Sequence, residues 1–491
     1  MPRLTNPRNL WLAMISGSAI LRILGAFFLP NAFGDAYVYI RDIGAMSTKL
    51  STHTFALTDL FGFWLPLYQL ICAIMNVFVG NGFYVGKVVS AIFGVGVCLL
   101  VYSITLQLTA NRTAALLAFV LIALNPLHIL ISASAMTDVP HAFFVSASLY
   151  FILRRGWVAA AIFAALAGLT RVESWMLIAL IPAIQFLTER RISVVAVLIL
   201  LSPPVFWFYI SWKATGNWLA CFQARQQYHD WLIAMNPRLG RFALLQALRD
   251  GASLLVSTDI AVFLAAFWAG WKVFKRLLIG DKISNEMLPA LPSLIFLFAF
   301  LGLLIFAYLT HQQPIIFPRY GLILFSLGIP ILAWIFLTLR KEKPHLARRL
   351  LISVIAICAF DAGVQLVGSV GLLNQYSAQR AVADYLRDHF PHDGNRRIFC
   401  DEGTVRALSG IPPEKFLSSA DAPHDRYEFL AFLNERNVEY LVIVTKEDSI
   451  PSKLFPWSEY GEQIGPFESL MNAHSGFLPM KIWLYRANGQ Q

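Results

Sequence analysis

Charge is scarce in this chain, and acids are scarcest. Of 491 residues, 39 are Lys or Arg and 29 are Asp or Glu, so 14% are charged where soluble proteins carry about 25%. With 57% hydrophobic residues and a mean hydropathy of +0.60, this excludes both a soluble globular enzyme and a disordered chain. Cysteine is also sparse. The five residues Cys72, Cys98, Cys221, Cys358 and Cys400 are scattered with no CxxC pair, which excludes a disulfide scaffold and a zinc knuckle. No GxGxxG follows a strand pattern and no P-loop occurs, so no nucleotide site is assigned. Long internal repeats and low-complexity stretches are lacking too.

What the chain does have is divided unevenly. Residues 1–373 hold 27 Lys/Arg and 13 Asp/Glu, a net +14; residues 374–491 hold 12 and 16, a net −4. A basic apolar body with this pattern is read against a membrane before nucleic acid, which is not expected as a partner. The domains are therefore a transmembrane part, 1–373, and a soluble external part, 374–491.

Twelve apolar runs reach or approach the roughly 20 residues needed to span a bilayer. The first, residues 10–29, is too long for a signal peptide and contains Arg22, so it reads as a retained span. The others are 63–80, 83–108, 112–132, 139–153, 158–169, 174–187, 192–212, 257–274, 288–309, 320–339 and 350–373. Basic clusters at Arg154/Arg155, Arg190/Arg191, Lys272/Lys275/Arg276 and Arg340/Lys341/Lys343 mark cytoplasmic connections. They agree with Arg3 and Arg8 only if one early run does not cross. Residues 63–80 are short and contain Pro66 and Gln69, and are demoted to a segment that lies in or re-enters the outer leaflet. The fold class is thus a polytopic α-helical membrane protein with about eleven transmembrane helices, N-terminus cytoplasmic. Prolines at 126, 182, 203, 204 and 330 break several runs, which suggests a cavity. In the tail, residues 378–390 and 424–436 read as helices, and 397–400, 438–444 and 481–485 as strands, giving a small α/β domain.

Among so few acids, one at a membrane boundary is a functional candidate. The demotion puts Asp35, Asp138 and Glu173 on the external face with Arg319. Asp35 follows the first span in Phe33-Gly34-Asp35-Ala36-Tyr37, with Tyr39, Arg41 and Asp42 behind it. It suits a general base for a hydroxyl; the bland alternative is a solvated loop acid or helix cap. Asp138 and His141 share a helix face if Pro140 lies in a first turn. There Asp138 orients an acceptor, holds a basic group or binds a cation; alternatively Thr137 or Asp138 merely caps the helix. In Arg171-Val-Glu173, a structural ion pair competes with a role in a cavity wall. Pro318-Arg319-Tyr320, with His311 nearby, offers a donor fork suited to phosphate, against an ordinary interfacial anchor. Arg22 and Asp361, both mid-span, are a conceivable ion pair. The stretch 213–256 interleaves arginines with aromatics and suits an amphipathic surface segment or a lid.

In order, Gly34-Asp35-Ala36-Tyr37, Leu124-Asn125-Pro126, Ser134-Ala-Met-Thr-Asp138, Leu169-Thr-Arg171-Val-Glu173 and Pro318-Arg319-Tyr320 resemble the polyprenyl-phosphate-dependent glycosyltransferases of the GT-C superfamily. The similarity is to their protein-mannosyltransferase and lipid A aminoarabinose-transferase branch, and covers most of residues 1–340. It implies a first external loop with juxtamembrane helices, Asp35 as catalytic base and Asp138 as the second-loop acid. Protein mannosyltransferases often pair acids in the first loop, where this chain offers one.

The implied reaction moves a sugar from a polyprenyl-phosphate donor to a lipid, glycan or protein hydroxyl at the external membrane face, by inverting displacement. Asp35 and Asp138 are the expected catalytic residues. Tyr39, Arg41, His141, Arg171, Glu173, His311, Arg319 and Tyr320 are the expected substrate contacts. A divalent cation stays open as a cofactor, held by Asp35 and Asp138 if by any residues. The short loops favour a bacterial plasma membrane. The rival classes are a transporter or lipid flippase, which would show paired broken helices in inverted repeats, and a non-catalytic glycan- or lipid-binding subunit.

Overall fold

A computed structural model of the protein describes residues 7–235, 244–279, 287–310, 312, 316–391, 394–419, 422–444, 449–455, 463–474 and 481–488. The chain forms two compact units. One comprises Met1–Pro30 and Ile43–Ser369, the other Asn31–Asp42 and Val370–Gln491. The second unit thus takes in a short piece of the first loop as well as the tail.

The first unit is helical. Among the described residues, seven helices are long and apolar enough to cross a membrane, and two bent pairs raise the number to nine. Residues 139–153 and 158–169, expected as two further spans, form the helices Asp138–Leu153 and Trp157–Gly168, of 16 and 12 residues. At 1.5 Å per residue these rise about 24 and 18 Å, short of a hydrocarbon core of about 30 Å. The run 63–80 forms the helix Leu67–Val79, also short at 13 residues. Large apolar side chains such as Phe28, Phe78, Val194 and Val367 are exposed, as the faces of an integral membrane protein turned to lipid must be.

The bends are where intramembrane charge is used. Arg112–Ala123 and Pro126–Ser132 meet at 63°. Pro126 has no N–H to continue the ladder, and the Asn125 side chain caps the second helix by accepting from the His128 amide at 2.8 Å. The carbonyl ends left open by the break are taken by Arg22. Its Nη1 donates to the Ala123 carbonyl at 3.2 Å and to Ser18 Oγ at 2.8 Å, while Nη2 lies 2.6 Å from His128 Nδ1. The second pair, Leu245–Thr258 and Ile260–Arg276, bends by 93°, and there the Asp361 carboxylate accepts from the Ile260 amide at 2.6 Å. Arg22 and Asp361 therefore each satisfy a broken helix. This is the condition for irregular backbone at membrane depth.

The stretch expected as a surface segment, 213–256, contains the helices Ala220–Met235 and Leu244–Thr258; Arg238 and Arg241 lie outside the described residues.

The second unit is a six-stranded mixed sheet with helices. Its strands are β1 (Arg397–Cys400), β2 (Phe416–Leu417), β3 (Val438–Val444), β4 (Gln463–Ile464), β5 (Phe467–His474) and β6 (Lys481–Ala487), in the order β2-β1-β3-β6-β5-β4. β2, β1 and β3 run parallel; the pairs β3–β6, β6–β5 and β5–β4 are antiparallel. The seven residues of β3 are all buried, as a central strand covered on both faces requires. The helix Ser377–His389 buries Ala378, Val382 and Leu386 in one core with Tyr440, Val442 and Leu484. The helix Arg426–Glu435 buries Phe429 and Leu433 in another with Leu441, Ile443 and Tyr485. Both helices and β1, β3 and β6 lie where the sequence puts them.

Candidate functional site

In the first unit, Asp138, His141, Arg171, Glu173, Arg319 and Tyr320 line one cavity of about 90 Å³. Asp138 opens the helix Asp138–Leu153 with Pro140 in the first turn, where a missing N–H breaks no intrahelical bond. Thr137, at the N-cap, makes no side-chain cap bond. The Asp138 carboxylate faces Arg171 instead: Nη1 donates to Oδ1 at 2.9 Å. Arg171 is extended, and the tight turn Val172–Met176 follows it at once. That turn brings Glu173 back to the same guanidinium, where Nη2 donates to Oε1 at 2.8 Å. The side chains of Asp138, Arg171 and Glu173 are 5%, 16% and 36% exposed, so burial deepens from Glu173 to Asp138. The ion pair and the cavity wall, alternatives in the sequence, are here the same residues.

One turn beyond Asp138, His141 Nε2 lies 2.7 Å from Ser174 Oγ, and its ring meets Phe300 edge-on at 5.8 Å. Phe300, Leu303, Leu304 and Ala307 of the helix Leu291–Leu309 form an apolar wall. The turn Pro318–Tyr320 contributes Arg319, buried at 8% exposure. The Arg319 and Arg171 guanidiniums each stand 5.6 Å from the centre of the Tyr320 ring, and Arg319 stands 5.2 Å from Phe317. One tyrosine ring thus lies within reach of two cations, contributing roughly 0.5–2 kcal/mol with each.

The Asp138 Oδ2 atom is buried and has no hydrogen-bond partner among the described residues. A buried carboxylate oxygen left unsatisfied costs about 1–3 kcal/mol or more, so this atom calls for a partner beyond the described side chains, whether water, ion or ligand. Chemically the cavity offers an acceptor on Asp138, a guanidinium at Arg319 and an apolar wall. The sequence did not single out Phe300, which lines the cavity, or Ser174, which meets His141 of its wall. Ser174 is adjacent to Glu173 in the same run, but Phe300 sits in an apolar span and carried no signal.

Asp35 belongs to the second unit, as the first residue of the helix Asp35–Ser51. In that helix Tyr39 is buried at 2% exposure, and the exposed Arg41 donates to its neighbour Asp42 at 2.9 Å. His311 lies outside the described residues. Among the described residues no group of three or more His, Cys, Asp or Glu could hold a metal.

Residues 22–181 match the sequence model of the dolichyl-phosphate-mannose-protein mannosyltransferase family. This stretch includes Asp35, Asp138, Arg171 and Glu173. No curated protein matches the chain. Over its whole length the chain has the fold of ArnT from Cupriavidus metallidurans, solved bound to undecaprenyl phosphate. The identity is 13% and the TM-score 0.59, covering 98% of this chain and 99% of that one. The same protein in its apo state aligns with a TM-score of 0.48 at 11% identity, covering 98% of both. The similarity to the mannosyltransferase family thus lies in the sequence of the first third, and the similarity to ArnT in the fold.

Proposed function

We propose that this integral membrane protein transfers a sugar from a polyprenyl-phosphate carrier to an acceptor hydroxyl at the external face of the membrane. The observation that carries the reading is the apolar-walled cavity in which Asp138, paired to Arg171, keeps one oxygen without a partner beside the buried Arg319. The carrier class is that of the undecaprenyl phosphate held by the solved protein of the same fold.

In this reading the acceptor oxygen attacks the anomeric carbon as the bond from that carbon to the phosphate oxygen breaks, inverting the centre. Asp35 receives the hydroxyl proton as general base. The leaving carrier phosphate gains negative charge, which Arg319 stabilises through its fixed donor fork. Arg171 is already engaged by two carboxylates, so its part is to hold Asp138 in place. The Asp138 Oδ2 accepts a hydrogen bond from a donor or acceptor hydroxyl. A phosphate leaving group needs little protonation, so a separate general acid is not required.

The test is sugar transfer by the full-length protein in nanodiscs, with a panel of radiolabelled undecaprenyl-phosphate sugars and a membrane-lipid extract as acceptor. Turnover by wild type that is abolished in Asp35→Asn, with folding retained, supports the class and the base together. Turnover surviving in Asp35→Asn removes Asp35 from the role. Donor binding without any turnover would instead favour a binding subunit.

A further inference from the structure

We infer that Gln375 and Tyr376, at the neck of the second unit, are positioning residues that set the Asp35 carboxylate by gripping the backbone before it. This rests on the reading of Asp35 as the base.

Three contacts, all within the second unit, fix the chain around Asp35. The Gln375 side-chain amide donates to the Ala32 carbonyl. The Tyr376 hydroxyl oxygen stands against Gly34, 2.8 Å from where a Cβ would sit. The ring of Tyr37, 2% exposed, packs edge-on against the Tyr376 ring, with centroids 5.6 Å apart at 75°. Residues 32, 34 and 37 are thereby all held by 375–376. The neck itself is closed by Arg380, whose Nη2 donates to the Leu373 carbonyl at 2.9 Å. The helix carrying Asp35 begins at the gripped point, with the Ala36 amide on the Phe33 carbonyl at 3.1 Å and the Tyr37 amide on the Gly34 carbonyl at 3.0 Å.

Gly34 shows how tight the grip is. A Cβ placed there would stand 2.8 Å from the Tyr376 hydroxyl oxygen, with the next atom, Cζ, at 3.6 Å. The Gly34 backbone does not lie in the left-handed region, so glycine is not demanded by its conformation. What demands glycine is the tyrosine oxygen. Tyr376 cannot swing aside freely either, because its ring lies against the buried Tyr37. Any residue other than glycine at 34 must therefore displace either the tyrosine or the turn that starts the Asp35 helix.

This gives the tail a part in the reaction that its sheet does not suggest. A general base works only when it is held in reach of its proton, and a misplacement of about 1 Å can cost roughly a hundredfold in rate. The neck supplies that placement without touching substrate.

The test uses the full-length protein in nanodiscs as wild type, Gly34→Ala, Tyr376→Phe, the double variant and Asp35→Asn. Donors are undecaprenyl-phosphate sugars. Gly34→Ala is expected to lower kcat about a hundredfold while KM for the donor moves less than about threefold. The double variant, in which the new Cβ meets nothing closer than the 3.6 Å Cζ, is expected to recover to within about tenfold of wild type. A purely structural role for Tyr376 predicts that the double variant is worse than either single one. Hydrogen exchange over residues 31–42, read on the same proteins without donor, is expected to rise in Gly34→Ala and fall back in the double variant.

Unchanged kcat in Gly34→Ala, no recovery in the double variant, or unchanged exchange each overturns the inference. Turnover that survives Asp35→Asn overturns the base reading instead. Turnover lost in Asp35→Asn but kept in Gly34→Ala overturns the positioning alone.

Discussion

Arg171 lies between two carboxylates, donating to Asp138 at 2.9 Å and to Glu173 at 2.8 Å. Counted with Arg319, the cavity wall carries two formal positive and two negative charges, so it is neutral as a whole but strongly divided within. The division matters because Phe300, Leu303, Leu304 and Ala307 put apolar surface beside it, where charges are screened less than in open water. In the proposed reaction Arg319 is the group that takes the phosphate and Asp138 the group that takes a hydroxyl.

Breaking that arrangement from its centre has a defined cost. Arg171→Ala leaves the Asp138 carboxylate buried without a counter-charge, which destabilises by about 3–5 kcal/mol. Arg171→Lys keeps the charge but cannot bridge two carboxylates with a planar fork, and is expected to fall between. Thermal unfolding in detergent, followed by tryptophan fluorescence, ranks the three proteins. Equal midpoints for wild type and Arg171→Ala would contradict the account.

Arg319 tests the phosphate site more directly, since none of its prescribed role lies in holding Asp138. Arg319→Gln is expected to weaken binding of undecaprenyl phosphate by about 10- to 100-fold, as loss of a charge-assisted hydrogen bond of about 1.5–3 kcal/mol implies. Stabilisation of the protein by added undecaprenyl phosphate measures it. An unchanged shift would move the phosphate elsewhere.

The sequence went far with the soluble tail and with the polar cluster, for different reasons. Val438–Val444 is rich in β-branched residues, with four in seven, and reads as a strand, while β2 and β4, two residues each, carry no period to read. Asp138 and Glu173 stood out because acids are rare in the apolar body, and Arg171 and Arg319 because they lie in polar turns assigned to the same face. The cavity they share is seen only in the structure. Phe300 did not stand out, because one phenylalanine in an apolar helix resembles every other. Nor did the role of Arg22 and Asp361 emerge. Both were visible as intramembrane charges, but their partners are backbone groups at helix breaks, and a sequence does not show where a carbonyl is left open. Gly34 was read only as part of a motif, since a close approach from residue 376 has no local signature.

The Arg22 assignment yields a prediction of its own. Two effects compete in Arg22→Met: relief from burying a cation, and loss of donors to the Ala123 and Ile122 carbonyls and to His128. Unsatisfied groups at membrane depth have no water to turn to, and at about 1–3 kcal/mol each they outweigh the relief. A net loss of about 2–4 kcal/mol is expected. The binding of undecaprenyl phosphate at a temperature where the variant is folded should be unaffected, because the break at residues 123–126 does not line the cavity. Reduced stability with intact binding is the expected pair of results; intact stability would remove Arg22 from its structural role.

Tyr37 predicts how the second unit responds to base. Burial pushes its phenol up from 10.0 to about 12, against a smaller opposing pull from Arg380. The unfolded chain loses this proton near pH 10 while the folded protein keeps it until about pH 12. In that window the unfolded state therefore binds fewer protons, and stability must fall as pH rises. The contribution is fully present below pH 10 and has disappeared once pH passes the folded value. A two-unit shift corresponds to about 2–3 kcal/mol, so the effect is large enough to separate from general alkaline unfolding by comparison with Tyr37→Phe. That variant keeps the ring against Tyr376 but has no proton to lose. Unfolding midpoints of the two full-length proteins should run parallel from pH 7 to 9 and diverge from pH 10 upward, wild type falling faster. Parallel curves throughout would show that the phenol of Tyr37 titrates as if in water and that its packing on Tyr376 is loose. Loose packing there would also remove the support on which the fixed position of Gly34 depends.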